Sequence, residues 1–244
     1  VMETYRKALY GKKSEKHLPI DPSELEPTLF DVPIAEDEQK ALDEEVKKME
    51  EKRIEGQLRF LIEIDKMKTV LRQTLLADGS HRENDAEHSW HLALYAMILQ
   101  EYAAGQVNID RVVQMVLVHD LIEIYAGDTF CYDAAANTDK AQREEAAAQK
   151  LFSMLEPDQG AYYEALWREF DAEETDDSRY AAAMDRIQPL MNNYMTGGHT
   201  WHLGDIHSAD VYKRMAPIKI GAPKLWPVIE YIVEDCVQKG YLPR

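Results

Sequence analysis

Residues 115–129, MVLVHDLIEIYAGDT, set the reading of the whole chain. Apolar side chains fill most of the first eleven positions, as in a buried helix. Yet His119, Asp120 and Glu123 stand among them, and the run stops at Gly127-Asp128. A buried carboxylate without a partner is costly, so these groups need a common one. On a helix turning about 100° per residue, Asp120 falls about 100° and Glu123 about 40° from His119. The three share one sector. Neutral imidazole and carboxylate together suit a divalent cation with open coordination positions.

Further ligands must come from elsewhere in the chain, and two positions offer them. His88, in ENDAEHSWHLALYAMIL, heads a line with Leu92, Tyr95 and Leu99 that should face the core. Asp185, in RYAAAMDRIQPL, interrupts a run of Ala and Met. Alone, each has an ordinary structural reading: a satisfied histidine at a helix start, or an aspartate paired with a neighbouring arginine. Together, a His…His-Asp…Asp set would bind one ion and leave positions for water and substrate. His91, three residues after His88, is an alternative ligand.

Around these motifs the chain reads as all-α, because segments of helical period recur and no convincing Val/Ile/Thr-rich alternating run appears. Pro19, Pro22, Pro27 and Pro33 punctuate residues 1–37, which read as an extended arm. Residues 38–54 predict a highly charged helix with a thin apolar stripe of Leu42, Val46, Met49 and Ile54. Residues 1–54 thus form an N-terminal extension, and 55–244 form the main domain. There, helices are expected over 57–76, 86–104, 109–126, 139–155, 159–170, from about 176 onward, 208–216 and 222–238. ADGSHREND and residues 127–138 are expected loops, and Pro189 should kink or break its helix.

Composition bounds the function. The 244 residues are 45% hydrophobic, enough for a substantial core, and carry a net charge of −17. That charge argues against nucleic acid or an anionic membrane as partner. A phosphate-handling enzyme of this charge would need local positive groups, such as a divalent metal and a few arginines. Two cysteines, Cys131 and Cys236, suit a reducing cytoplasm. No run approaches the roughly 18 apolar residues of a spanning helix, and the polar opening VMETYRKALYGKKSEKH lacks a signal-peptide core.

Three motifs in order, HRENDAEHSW (81–90), HDLIEIYAGD (119–128) and AMDRIQPL (183–190), resemble the HD-domain metal-dependent phosphohydrolases, nearest the 5'-deoxynucleotidase branch. The resemblance covers roughly residues 55–240. It implies an HD-domain helical bundle and one divalent ion (Mn, Co, Zn, Fe or Mg) held by His88, His119, Asp120 and Asp185. It also implies that Glu123 handles the proton of the attacking water or leaving group, and that Asp128 contacts the sugar. Arg72, in VLRQT, corresponds to a phosphate-binding arginine, with Gln73 where some members carry an aromatic residue. Arg82 is a second candidate phosphate clamp. The implied substrate is a small phosphate ester, a (deoxy)nucleoside 5'-monophosphate, and the implied assembly a homodimer.

The other readings kept open are phosphodiester or nucleoside triphosphate hydrolysis, and a non-catalytic module sensing nucleotide or metal. His199, His202 and His207, in GGHTWHLGDIH, read as a loop lining or covering the cleft rather than a second metal site. Lys140 and Arg143 lie on an expected solvated helix that approaches substrate at one end.

Overall fold

The computed structural model describes residues 36–133 and 138–244. The expected arm lies outside the described residues up to position 35. The chain divides into two units, Val1–Met49 and Glu50–Arg244, and the expected site residues all lie in the second.

One helix, α1 (Glu36–Ile64), runs where two were expected. Gly56 does not interrupt it. A Cβ at that position would lie 3.0 Å from the Met154 carbonyl oxygen, so the glycine serves a close backbone approach. The second half of the expected 57–76 helix is not helical. A 3-10 turn (Asp65–Thr69) leads into β1 (Leu71–Leu75), which pairs antiparallel with β2 (Arg82–Asn84). Leu71 stands opposite Asn84, and Leu75 opposite Arg82. Strand geometry wins here through its side-chain partners. Arg72 and Thr74, two residues apart, share one face, where Arg72 Nε lies 3.8 Å and Thr74 Oγ1 3.2 Å from Glu83 Oε2.

Asn84 then starts α2 (Asp85–Ile98) with a capping box. Its side chain accepts from the Glu87 N–H at 2.9 Å, while the Glu87 carboxylate accepts from the Asn84 N–H at 3.0 Å. A short 3-10 turn (Gln100–Tyr102) follows, and the Asn108 side chain caps α3 (Ile109–Val118). The expected helix over 109–126 is therefore two pieces. After Val118 the bonding tightens to i→i−3 (Leu121 to Val118, Glu123 to Asp120), and only α4 (Glu123–Ala126) resumes the helix. The chain continues through α5 (Lys140–Phe152), α6 (Pro157–Ala172), α7 (Asp176–Met195), α8 (Ser208–Met215), α9 (Ile218–Gly221) and α10 (Trp226–Gln238).

Helix α7 is the centre of the packing, against α2, α3, α6 and α9. Ala181, Ala182 and Ala183 are fully buried, small side chains that let neighbours approach closely. Tyr180, also fully buried, donates its hydroxyl to the Ala96 carbonyl at 2.9 Å and ties α7 to α2. Leu92, Met115, Leu166 and Leu190 fill the core around it; complete burial of such a side chain contributes about 1.5–3 kcal/mol. Pro189 does not end α7. Its missing N–H removes the i→i−4 bond to the Asp185 carbonyl without breaking the helix, because the buried face on both sides of it holds the element in place. Among the described residues no helix is long and apolar enough to cross a membrane.

Candidate metal centre

Three elements converge on one buried point. The first turn of α2 brings His88, the C-terminus of α3 brings His119, and the middle of α7 brings Asp185. One donor atom from each lies within 4.8 Å of the others, and all three residues are buried. Asp185 Oδ1 is 3.0 Å from His88 Nε2 and 3.6 Å from His119 Nε2. Asp120 Oδ2 approaches from the next residue, 3.1 Å from His119 Nε2 and 3.8 Å from His88 Nε2. All four expected ligands are thus brought together.

The outer ring nitrogens decide which face each imidazole turns inward. His119 Nδ1 sits 2.8 Å from the Val116 carbonyl, which only accepts, so Nδ1 carries the proton. His88 Nδ1 lies 2.9 Å from Gln188 Oε1. That amide is oriented in turn: Gln188 Nε2 donates to Glu83 Oε1 at 2.5 Å, which turns its carbonyl oxygen toward His88. Both Nε2 lone pairs therefore face carboxylate oxygens, and His119 Nε2 is buried with no hydrogen-bond partner. Lone pairs gathered on one point repel unless a positive charge sits among them. The donor set, two neutral imidazoles and two carboxylates, fits a divalent cation.

Electrostatics favour the same conclusion. Burial would keep the His119 ring neutral, yet Asp120 and then Asp185 push it up to about 10, so without a cation a proton takes its place on Nε2. Burial raises the Asp185 carboxyl, but Arg186 and then the two imidazoles hold it well below the usual range. Positive charge is stabilised at this point of the protein.

The centre opens on a cleft of about 240 Å³, lined among others by Arg72, Glu123, Asp128, Lys140, Trp167 and Arg214. Tightening of the chain at 119–124 brings Asp120 and Glu123 nearer to one line than a regular helix would. Glu123 is 6% exposed and its Oε2 has no hydrogen-bond partner. Burial, then the Asp120 and Asp128 carboxylates, push it up to about 9. Gly127, at φ 79° where L side chains are strained, ends α4 and turns Asp128 to the cleft wall.

The other expected residues divide between the cleft wall and its surroundings. Arg72 lines the cleft, but its guanidinium is held by carboxylates: Nη1 lies 2.7 Å from Asp120 Oδ2 and 3.2 Å from Asp85 Oδ1. The structure does not bring Arg82 to the cleft. Arg82 donates to the carbonyls of Arg72 (2.6 Å) and Leu71 (3.0 Å) and clamps the hairpin. Lys140 lines the cleft and pairs with Glu144 at 3.3 Å, whereas Arg143 donates to the Ala126 carbonyl and to Thr129 Oγ1. His91 stacks edge-on against Tyr95, outside the donor group. Of the loop 197–207, Thr200 and Trp201 line the cleft, while His202 contacts the Gly197 carbonyl and His207 caps α8. Among the described residues, the donor cluster is the one formed by His88, His119 and Asp185.

Sequence reasoning missed the layer behind the ligands. Glu83, 1% exposed, accepts from Gln188, from Asn192 at 3.3 Å and from Thr74. Gln188 carried a readable signal: it is a polar residue among Ile187, Pro189 and Leu190, three positions after Asp185 and hence on its face. The Gln188→Leu variant removes the acceptor that fixes His88. It is expected to weaken divalent-cation binding about 10- to 100-fold, as outer-shell substitutions do, with Asn192→Ala changing it less. Titration with Mn²⁺ followed by calorimetry checks this, and an unchanged affinity would count against the relay.

A family model described as HD domain matches residues 64–226. The 5'-deoxynucleotidase HDDC2 of Mus musculus is 26% identical over 137 residues, 56% of this chain and 67% of that protein. Its Homo sapiens counterpart is 26% identical over 135 residues, 55% of this chain and 65% of that protein. The chain thus spans about two thirds of the length of these relatives. The 5'-deoxynucleotidase VV1113 of Vibrio vulnificus is 32% identical over 104 residues, 39% of this chain and 53% of that protein. A crystal structure from Magnetospirillum magnetotacticum MS-1, described as a predicted metal-dependent phosphohydrolase, is 50% identical with a TM-score of 0.76, covering 80% of this chain and 97% of that one. The matched span contains both histidines, the His119-Asp120 pair and Asp185, so the helices that build the centre are those of the HD domain family, to which this chain belongs.

Proposed function

We propose that this protein is a metal-dependent phosphohydrolase that releases phosphate from (deoxy)nucleoside 5'-monophosphates. The observation that carries the reading is the pair of imidazoles whose Nδ1 atoms are occupied, leaving both Nε2 atoms aimed at Asp120 and Asp185. In this reading His88, His119, Asp120 and Asp185 hold one divalent ion, of Mn, Co, Zn, Fe or Mg type. Such an ion makes water more acidic and neutralises charge developing on phosphoryl oxygens. Glu123 moves a proton through its unpartnered Oε2, from water or to the leaving oxygen. Asp128 accepts from a sugar hydroxyl at the cleft wall, and Arg72 keeps Asp120 ionised and aimed inward. The names of the relatives support the nucleotide substrate.

We also assign the protein to the cytoplasm as a homodimer. The free thiols of Cys131 and Cys236 fit a reducing compartment, and Trp90, Met97 and Ile98 leave apolar surface exposed on α2 for a second copy; light scattering measures the mass. The activity is tested by phosphate release from a panel of 5'-mononucleotides, diesters and triphosphates with Mn²⁺ or Co²⁺ supplied. Inorganic phosphate from monophosphates, lost on chelation, is expected. Turnover confined to diesters or triphosphates, or no turnover with any metal, would replace this reading.

A further inference from the structure

Most cations of the cleft are already engaged. Arg72 faces three carboxylates, Asp120, Asp85 and Glu83. Lys140 pairs with Glu144. Arg186 donates through Nη1 to Asp185 and through Nη2 to Glu173 at 3.2 Å. Arg214 differs. It lines the cleft with its side chain 36% exposed, hydrogen-bonds to no described residue, and has as its ion pair only Asp185 Oδ2 at 4.0 Å.

Its position is set by α8. Val211, Arg214 and Met215 stand at i, i+3 and i+4 and all line the cleft, so this helix presents one face to it. A basic residue in the last turn of a helix also suits the helix dipole, but Arg214 donates to none of the carbonyls there. Asp185 links the two halves of the site. Its Oδ1 faces the imidazoles, while its Oδ2 faces the guanidinium groups of Arg186 and Arg214. Arg186, 12% exposed, also lines the cleft and keeps a buried Nε without a hydrogen-bond partner. Two like charges share one carboxylate oxygen, and Arg214 keeps N–H donors that no described residue takes up. A guanidinium presents paired N–H donors that match phosphate oxygens.

Resting on the phosphohydrolase reading, we propose that Arg214, with Arg186 beside it, binds the phosphate of the substrate on the Asp185 side of the cleft. Arg214 is a substrate-binding residue in this account. Its loss removes charged hydrogen bonds to an anion, each contributing about 1.5–3 kcal/mol, which corresponds to about 10- to 150-fold in affinity.

The test is calorimetric titration of inorganic phosphate into the Mn²⁺-loaded full chain at fixed ionic strength, for wild type, Arg214→Ala and Arg214→Lys. Mn²⁺ affinity is measured separately without phosphate. The expected result is phosphate binding weakened about 10- to 150-fold in Arg214→Ala and less in Arg214→Lys, with Mn²⁺ affinity retained. With a turned-over nucleotide, KM should rise more than kcat falls. Phosphate affinity within about twofold of wild type in Arg214→Ala, a parallel loss of Mn²⁺ binding, or no phosphate binding by the wild-type protein would overturn the proposal. Weakened phosphate binding in a protein that hydrolyses no nucleotide would uphold the anion site and reject the phosphomonoesterase reading alone.

Discussion

The Asp185→Asn variant is expected to lose about a thousandfold in divalent-cation affinity, and metal-dependent turnover with it. The substitution keeps the shape of the side chain and removes its charge. In the structure that charge serves three neighbours at once, with Oδ1 beside both imidazoles and Oδ2 at Arg186. A pair of unit charges about 4 Å apart interacts by about 4 kcal/mol at the effective dielectric of a protein, near three orders of magnitude in binding. Folding should suffer less. Arg186 keeps Glu173 at 3.2 Å, so the buried guanidinium is not left alone. Two measurements separate the outcomes: Mn²⁺ titration for affinity, and thermal unfolding of the metal-free protein for integrity. A folded variant that still binds Mn²⁺ as wild type does would remove Asp185 from the ligand set.

How much of this site the sequence carried depends on the kind of interaction. His119, Asp120, Glu123 and Asp185 were legible because each is a charged or titratable residue in an apolar stretch, where an unpartnered group is costly. The helix wheel placed the first three in one sector. The actual backbone draws Asp120 and Glu123 closer still, because i→i−3 bonding replaces the regular helix after Val118. The hairpin was not legible. Its strands are five and three residues long, and the helical period of residues 57–64 runs into them without a break signal. Backbone pairing with β2 and the contacts of Arg72 and Thr74 with Glu83, all made with residues beyond the segment, hold residues 71–75 as a strand. Those contacts also set Arg72, at the cleft wall, among the carboxylates of Glu83, Asp85 and Asp120. Glu83, Gln188 and Arg214 stayed hidden for a common reason: their roles depend on partners from other elements, up to 105 residues away in the case of Gln188 and Glu83.

For Glu123→Gln, kcat is expected to fall by about two to four orders of magnitude, the range for a removed general acid or base, while Mn²⁺ affinity stays close to wild type. Glu123 is not in the donor cluster, and its carboxylate accepts no hydrogen bond at Oε2, which leaves that atom free to exchange a proton with a group in the cleft. The amide fills the same volume and cannot do so. Stability should move the other way. A carboxyl that is 6% exposed, among the Asp120 and Asp128 carboxylates, is pushed up to about 9, so folding at neutral pH works against its ionisation. The sign follows from the unfolded value of 4.5. From there upward the unfolded chain holds the carboxylate more readily than the folded one, and stability falls as pH rises toward about 9. Glutamine abolishes that penalty, so the metal-free variant should melt above wild type at neutral pH, with the difference vanishing below pH about 4.5. A residue kept at a cost to folding is held for chemistry. A Glu123→Gln protein that turns over as fast as wild type, or binds Mn²⁺ far more weakly, would assign this carboxylate to structure or to ligation instead of to the proton.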